Sequence, residues 1–256
     1  MRSFVAFVKK EAIENIRSGR ALMLSILFVA FGVMNPAIAK LTPWMIEIFA
    51  ESMEDSGMII TEVLVNSLTS WTQFFKNVPM ALIVFVFVYS NTLTGECESG
   101  RLIPLLTKGL SRKSVILAKL SVITLIWTCG YWICYFVTYF YNAYFWDNSI
   151  ARYLPAAAVY WWVFGLFVVC VIMLFSVLSK SYIGVLLGTG ATVFLSYVLS
   201  LIPKLTRLMP TSLTNGMAIL TGQDAAADYT GALILALALA LISVITSLFI
   251  FKRKQL

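Results

Sequence analysis

Residues Gly95–Lys119 read GECESGRLIPLLTKGLSRKSVILAK. This short charged segment lies between two apolar stretches, each long enough to cross a bilayer. Glu96 and Glu98 open it, and Gly100 interrupts the helix that precedes it. Leu102, Ile103, Leu105, Leu106 and Leu110 then give one greasy face to a short helix. Gly109 ends that helix, and Ser111 is suited to cap a new one that starts at Arg112 and runs into the next apolar stretch. A short helix lying along a membrane cannot bury an apolar face alone. It needs lipid or a partner protein, or else it is an ordinary basic loop held by headgroups.

Composition gives this loop its setting. The 256 residues are 60% hydrophobic and 12% charged, against about 25% charged in a soluble domain. The chain is an integral membrane protein. A net charge of +7 raises nucleic acid as a partner, but basic residues gather where membrane spans end, so none is expected. The absence of histidine removes the commonest general base and metal ligand. Cys97, Cys129, Cys134 and Cys170 form no C-x-x-C pair and read as small buried hydrophobes.

A helix rises about 1.5 Å per residue, so a core of about 30 Å needs about 20 apolar residues. Ala21–Ala39, Asn77–Gly95, Leu120–Trp146, Tyr153–Ser179, Ser181–Pro203 and Tyr229–Phe251 lack charge over that length. The expected fold is all-α, one transmembrane domain over 1–256 with spans near 21–41, 77–95, 118–146, 153–179, 181–203 and 229–251. Arg2, Lys9, Lys10, Arg17, Arg20, Arg101, Lys108, Arg112, Lys113, Lys119, Lys180, Lys252, Arg253 and Lys254 fall on one side of these spans. Only Lys40, Lys76, Arg152, Lys204 and Arg207 fall on the other. The excess places both termini in the cytoplasm.

Outside the spans, Ser3–Arg17 reads as an amphipathic helix along the inner leaflet, with Val5, Val8, Ala12 and Ile16 on its apolar face. Lys40–Lys76 reads as an acidic outer loop carrying Glu47, Glu51, Glu54, Asp55 and Glu62, with Trp71, Phe74 and Phe75 as interfacial anchors. Lys204–Asp228 reads as short interfacial or re-entrant pieces. Gly184 and Gly188 form a small-xxx-small pair suited to a dimer face or an internal contact. Trp127, Tyr131 and Tyr135 lie deep in a span, either lining a substrate path or packing. Tyr144, Phe145, Trp146 and Tyr153 form an outer aromatic belt.

The Gly95–Lys119 segment resembles the first cytoplasmic loop of ABC-2-type ABC transporter permeases. Bacterial members typically carry E-x-E-x-G-T-L, a leucine-rich turn, Pro-Leu-Ser-Arg and a Ser/Ala-Lys before span three. Here stand Glu96, Glu98, Gly100, Leu102, Leu105-Leu106, Leu110-Ser111-Arg112 and Ala118-Lys119, with Arg101 for the usual Thr and Gly109 for the usual Pro. Val8-Lys9-Lys10-Glu11, Phe31-Gly32-Val33-Met34-Asn35-Pro36 and Gln73-Phe74-Phe75-Lys76-Asn77 are similar too.

The resemblance implies a multi-pass permease of a bacterial plasma membrane, paired with a second permease subunit and docked on a cytoplasmic ATPase. The loop would be the coupling helix, with Glu96, Glu98, Gly100, Arg101, Leu102, Leu105, Leu106 and Arg112 as its coupling residues. The sequence lacks G-x-x-x-x-G-K-[ST], so ATP and Mg would be bound by the partner, and this chain would carry no catalytic residue, cofactor or metal. The family favours export, and aromatic-rich uncharged spans suit an amphipathic or lipid-like cargo. An intramembrane enzyme would need a catalytic pair or metal cluster within the spans. A channel or carrier would show ionisable groups within them. A membrane adaptor or sensor reusing the fold stays open.

Overall fold

The structure, a computed structural model, describes residues 2–53 and 65–254. Ten helices order the described chain: α1 Arg2–Arg17, α2 Arg20–Met53, α3 Ser67–Tyr89, α4 Thr94–Glu98, α5 Ile103–Thr107, α6 Arg112–Phe145, α7 Leu154–Leu178, α8 Tyr182–Ser200, α9 Gly216–Leu220 and α10 Thr230–Arg253. Short 3-10 turns at Asn148–Ile150, Pro210–Thr214 and Ala226–Tyr229 complete the fold. Six helical stretches are long and apolar enough to span a bilayer.

Two spans differ from the sequence reading. The second begins at Ser67, ten residues before the uncharged run. Asn66 caps it, accepting from the Thr69 amide while the Thr69 hydroxyl receives the Asn66 N–H. Trp71, Phe74 and Phe75, expected at the interface, are therefore helical core residues. Helix α2 also runs on through Met53 rather than ending near residue 41, so part of the expected outer loop is helix. Glu54, Asp55 and Glu62 of that loop lie outside the described residues.

Pro36 sits inside α2 and has no N–H for the carbonyl four residues earlier. That carbonyl, Gly32 O, accepts instead from Thr138 Oγ1 of α6 at 3.0 Å. Asn35 Nδ2 donates to Thr138 Oγ1 at 3.0 Å, and Asn77 Nδ2 of α3 donates to Asn35 Oδ1 at 2.7 Å. A neutral hydrogen-bonded knot thus repairs the interrupted helix and joins three spans.

Helix α7 is the hub, 67% buried over its most apolar window, whereas α8 and α10 are 17% and 22% buried and form the rim. Aromatic rings fill the space between α3, α6 and α7. Phe85 and Trp127 centroids lie 5.4 Å apart, Trp127 and Tyr131 5.6 Å, and Phe74 and Tyr131 6.0 Å. Glycine at 165 is required here, since a Cβ would meet the Trp127 ring at 2.0 Å. Between α8 and α10 the chain folds back in short pieces, burying Leu213, Ile219 and Leu220. Trp161 Nε1 donates to Thr214 O at 3.0 Å, and Tyr160 donates to Ala226 O at 2.8 Å. All four cysteines are free, and Cys129, expected to be buried, is exposed.

Candidate functional site

Helix α1 packs against α6 and α2, and its inward stripe is Phe7, Glu11 and Asn15, spaced by four. Val5 and Ile16, two residues of the apolar face read from the sequence as lying along the leaflet, are 63% and 68% exposed. The stripe turned toward the protein therefore carries a carboxylate and an amide, and the greasy stripe is left for the surroundings.

Glu11 meets Lys119 of α6, whose side chain is 0% exposed. Lys119 Nζ donates to Glu11 Oε2 at 2.8 Å and lies 2.8 Å from Glu96 Oε2 of α4. Lys10 reaches the same group from the rim, at 3.0 Å from Glu11, 3.3 Å from Glu96 and 2.5 Å from Glu14. Arg101 Nη1 stands 3.9 Å from Glu14. Asn15 Nδ2 donates to Glu11 O and Tyr89 donates to Asn15 Oδ1, both at 3.0 Å, which brings in α3. Burial would pull the Lys10 ammonium down, but hydrogen bonds and charge from Glu14, Glu11 and Glu96 outweigh it and raise its pKa. Burial would likewise raise Glu14, yet the Lys10 bond and the surrounding cations hold it below the usual carboxylate range.

Three carboxylates thus face three cations, with Glu11, Glu96 and Lys119 buried and Lys10, Glu14 and Arg101 at the rim. Oxygens of Glu11, Glu14 and Glu96 lie within 4.8 Å of one another, close enough to share a cation, and the Lys119 ammonium sits between two of them. Charged groups this deep survive only when paired and hydrogen-bonded. The arrangement ties the terminal helix, the α4–α5 segment and a span into one mechanical unit.

The loop segment hangs from this unit. Glu96 is buried in it, while Glu98 and Arg101 are exposed. Gly100 has φ +66 and Gly109 φ +90, the left-handed region that glycine enters freely, and each turns the chain beside α5. Leu102 is buried, and Leu105, Leu106 and Leu110 pack against the core. The residues α5 presents outward are Ile103, Pro104 and Thr107, followed by Lys108. The leucines read from the sequence as the greasy face pack against the chain's own core, and the exposed side of α5 is the opposite one. Arg112 caps the end of α10, donating from Nη1 to the carbonyls of Phe251 at 3.1 Å and Lys254.

Trp127, Tyr131 and Tyr135, read from the sequence as lining a path or packing, are 0%, 0% and 6% exposed. Trp127 Nε1 donates to Trp162 O at 3.2 Å and the Tyr131 hydroxyl to Ala158 O at 2.7 Å, so both are packing residues with satisfied polar ends. A lateral groove of about 570 Å³ opens between α3, α7 and α8, walled by Leu82, Phe87, Phe164, Val193 and Phe194, with Thr189 and Tyr197 among its few polar groups. The Thr189 hydroxyl is buried and unpartnered. Gly184 and Gly188 turn toward their own chain: a Cβ at 188 would meet the Phe175 ring at 2.2 Å, and one at 184 would meet Ser179 at 2.9 Å. Their close approach is the α7–α8 contact.

Sequence reading missed Lys119, Glu11 and Asn15 as one site. Lys119 had been counted as a span-end cation. The available signal was the four-residue spacing of Phe7, Glu11 and Asn15 on an otherwise amphipathic helix. The stretches that carried the family resemblance meet in space: Glu11 with Lys119, and Asn35 with Asn77. No curated protein matches the sequence as a relative. Residues 5–204, which hold the ionic unit, the loop and the first five spans, match the ABC-2 family transporter protein. The chain belongs to the ABC-2 transporter family and is a multi-pass membrane subunit of a transport system.

Proposed function

We propose that the chain is the permease subunit of an ABC exporter driven by a separate cytoplasmic ATPase. Its 256 residues act as one transmembrane domain in the bacterial plasma membrane. Both termini face the cytoplasm, as the basic residues favour, and α1 lies as an elbow along the inner leaflet. ATP and Mg bind the partner, and two permease subunits enclose the path. The exposed rim helices, α8 above all, leave surface for that second subunit.

The observation that carries this reading is the α4–α5 segment. It projects Ile103 and Pro104 outward from a base locked to α6 and α1 by the buried Lys119 ion pairs. A push on α5 reaches span α6 through the Glu96–Lys119 pair. We assign the ATPase contact to Ile103, Pro104, Thr107 and Lys108, with Glu98 and Arg101 beside them. Leu102, Leu105 and Leu106 hold the helix in place. The lateral groove, rather than Trp127, Tyr131 and Tyr135, is the route for an apolar or amphipathic cargo.

The test is co-purification with the ATPase. Ile103→Asp should leave insertion and thermal stability intact and weaken ATPase retention at least about tenfold, the loss of one apolar anchor at an interface. Leu105→Ala with Leu106→Ala should lower stability first. Full ATPase binding and normal substrate-stimulated hydrolysis by a well-expressed Ile103→Asp protein would refute the assignment of this surface.

A further inference from the structure

A second charged place lies at the same end of the bundle, on the side formed by the start of α6 and the end of α10. There a pocket of about 270 Å³ is lined by Lys113, Ile245, Leu248, Phe249 and Lys252. Its walls are apolar side chains turned outward, Ile245 at 44% and Phe249 at 67% exposure. Its rim carries two ammonium groups and no carboxylate.

Two neighbouring cations, Arg112 and Lys254, have partners. Arg112 is spent on the α10 carbonyls, and Lys254 Nζ donates to Val177 O at 2.8 Å and Ser179 O at 3.3 Å. Among the described residues, the ammonium groups of Lys113 and Lys252 make no hydrogen bond or ion pair. Helix α6 also begins here. Its dipole places partial positive charge at this point, and Lys113 belongs to the first turn, whose N–H groups have no partner within the helix. Ser111 accepts from only one of them, that of Ser114. Two unpaired cations, a helix N-terminus and a greasy wall running away from them match a molecule with an anionic head and an apolar tail.

We propose that this pocket holds one anionic phospholipid of the adjoining leaflet. Its phosphate sits between Lys113 and Lys252, and an acyl chain lies along Ile245, Leu248 and Phe249. The charge complementarity selects the anionic class. A zwitterionic headgroup would bring a compensating cation against two lysines. Under the orientation argued above, the leaflet is the cytoplasmic one. The lipid would brace the α6–α10 contact close to the loop on which the ATPase acts.

The probe is phosphatidylglycerol with a photoactivatable group on one acyl chain, compared with the matching phosphatidylcholine. The full-length protein is placed in nanodiscs of phosphatidylcholine containing a minority of phosphatidylglycerol, and labelled residues are read by mass spectrometry. Each lysine near a lipid phosphate contributes about a fivefold preference. The anionic probe should therefore label residues 245–252 and 113–117 at least about tenfold more than the zwitterionic one, and unlabelled phosphatidylglycerol should compete. At Phe194 and Leu195 of α8, exposed residues about three helical turns beyond the α7–α8 turn, the two probes should label alike. Lys113→Gln with Lys252→Gln should abolish the preference at the pocket and leave α8 unchanged. Equal labelling by both probes, the same preference at α8, or a preference that survives in the double variant would each overturn the proposal. Where the variant fails to insert, the wild-type comparison alone decides.

Discussion

The ionic cluster of Lys119, Glu11 and Glu96 and the neutral knot of Asn35, Asn77 and Thr138 both draw on α6, about 28 Å apart along its axis. The first joins a span to α1 and α4, elements that lie outside the long apolar runs. The second joins three spans to one another and serves the carbonyl that Pro36 cannot. Full charges stand near the bundle end where chain and solvent meet. Along the lipid-spanning stretch the polar work is left to amides and a hydroxyl, which cost far less to desolvate. Charge here fixes the position of the α4–α5 segment against α1 and α6, and neutral hydrogen bonding keeps an interrupted span whole.

The sharpest way to break the contrast is Lys119→Met. It leaves Glu11 and Glu96 with only the part-exposed Lys10 as a cation, and should cost about 3–5 kcal/mol, read as a fall in thermal stability in detergent. Adding Glu11→Gln and Glu96→Gln should recover most of that loss, because a whole buried ion cluster contributes little net stability. The rescued protein should still couple poorly to the ATPase, since the rigid link is gone. Wild-type stability in Lys119→Met alone would mean that the cluster is open to water.

Thr138→Val should cost less, about 1–3 kcal/mol, the penalty of leaving Gly32 O and an Asn35 donor without partners. The same thermal assay measures it. Unlike the ionic variants, it should leave ATPase retention unchanged. A coupling defect in a stable Thr138→Val protein would erase the division of labour between the two sites.

The smallest effect is on pH. The folded pKa of Glu14 is lowered from its ordinary 4.5, so its contribution is present above that value and lost as pH falls through the folded pKa. Lys10 is raised, so its contribution is present below the ordinary lysine value of 10.5 and lost as pH rises through the folded one. Between these limits both groups stay charged and stability should be flat in pH. Glu14→Gln should remove part of the acid-side loss and leave the neutral range untouched. Both groups are partly exposed, which keeps the change below that of either buried site.

Much of the fold is legible in the residues. Charge-free runs of bilayer length predict six spans, and the third to sixth lie within a few residues of the helices observed apart from the earlier start of α6. The start of the second span is not legible that way. Its first turns carry Ser, Thr, Gln and Lys, and the aromatic residues among them read equally well as interface anchors. Only the packing of Trp71 against Tyr135, centroids 5.4 Å apart, shows them to be core. The loop helix is legible in its leucines and flanking glycines, but the packing of those leucines on the chain's own core is not. Periodicity identifies an apolar face without saying whether a partner or the chain's own core covers it.

By itself the sequence determined membrane residence, span number and a short helix between the second and third spans. These follow from local quantities: apolar length, helix-breaking glycines and capping residues. Tertiary structure alone decided that Glu11, Glu96 and Lys119 form one buried unit across a separation of 108 residues, that Gly188 admits Phe175 of the same chain, and that Leu105 and Leu106 face inward. Each of these depends on which helices are neighbours. Burial and pairing are properties of a pair of surfaces, and a single strip of sequence contains only one of the two.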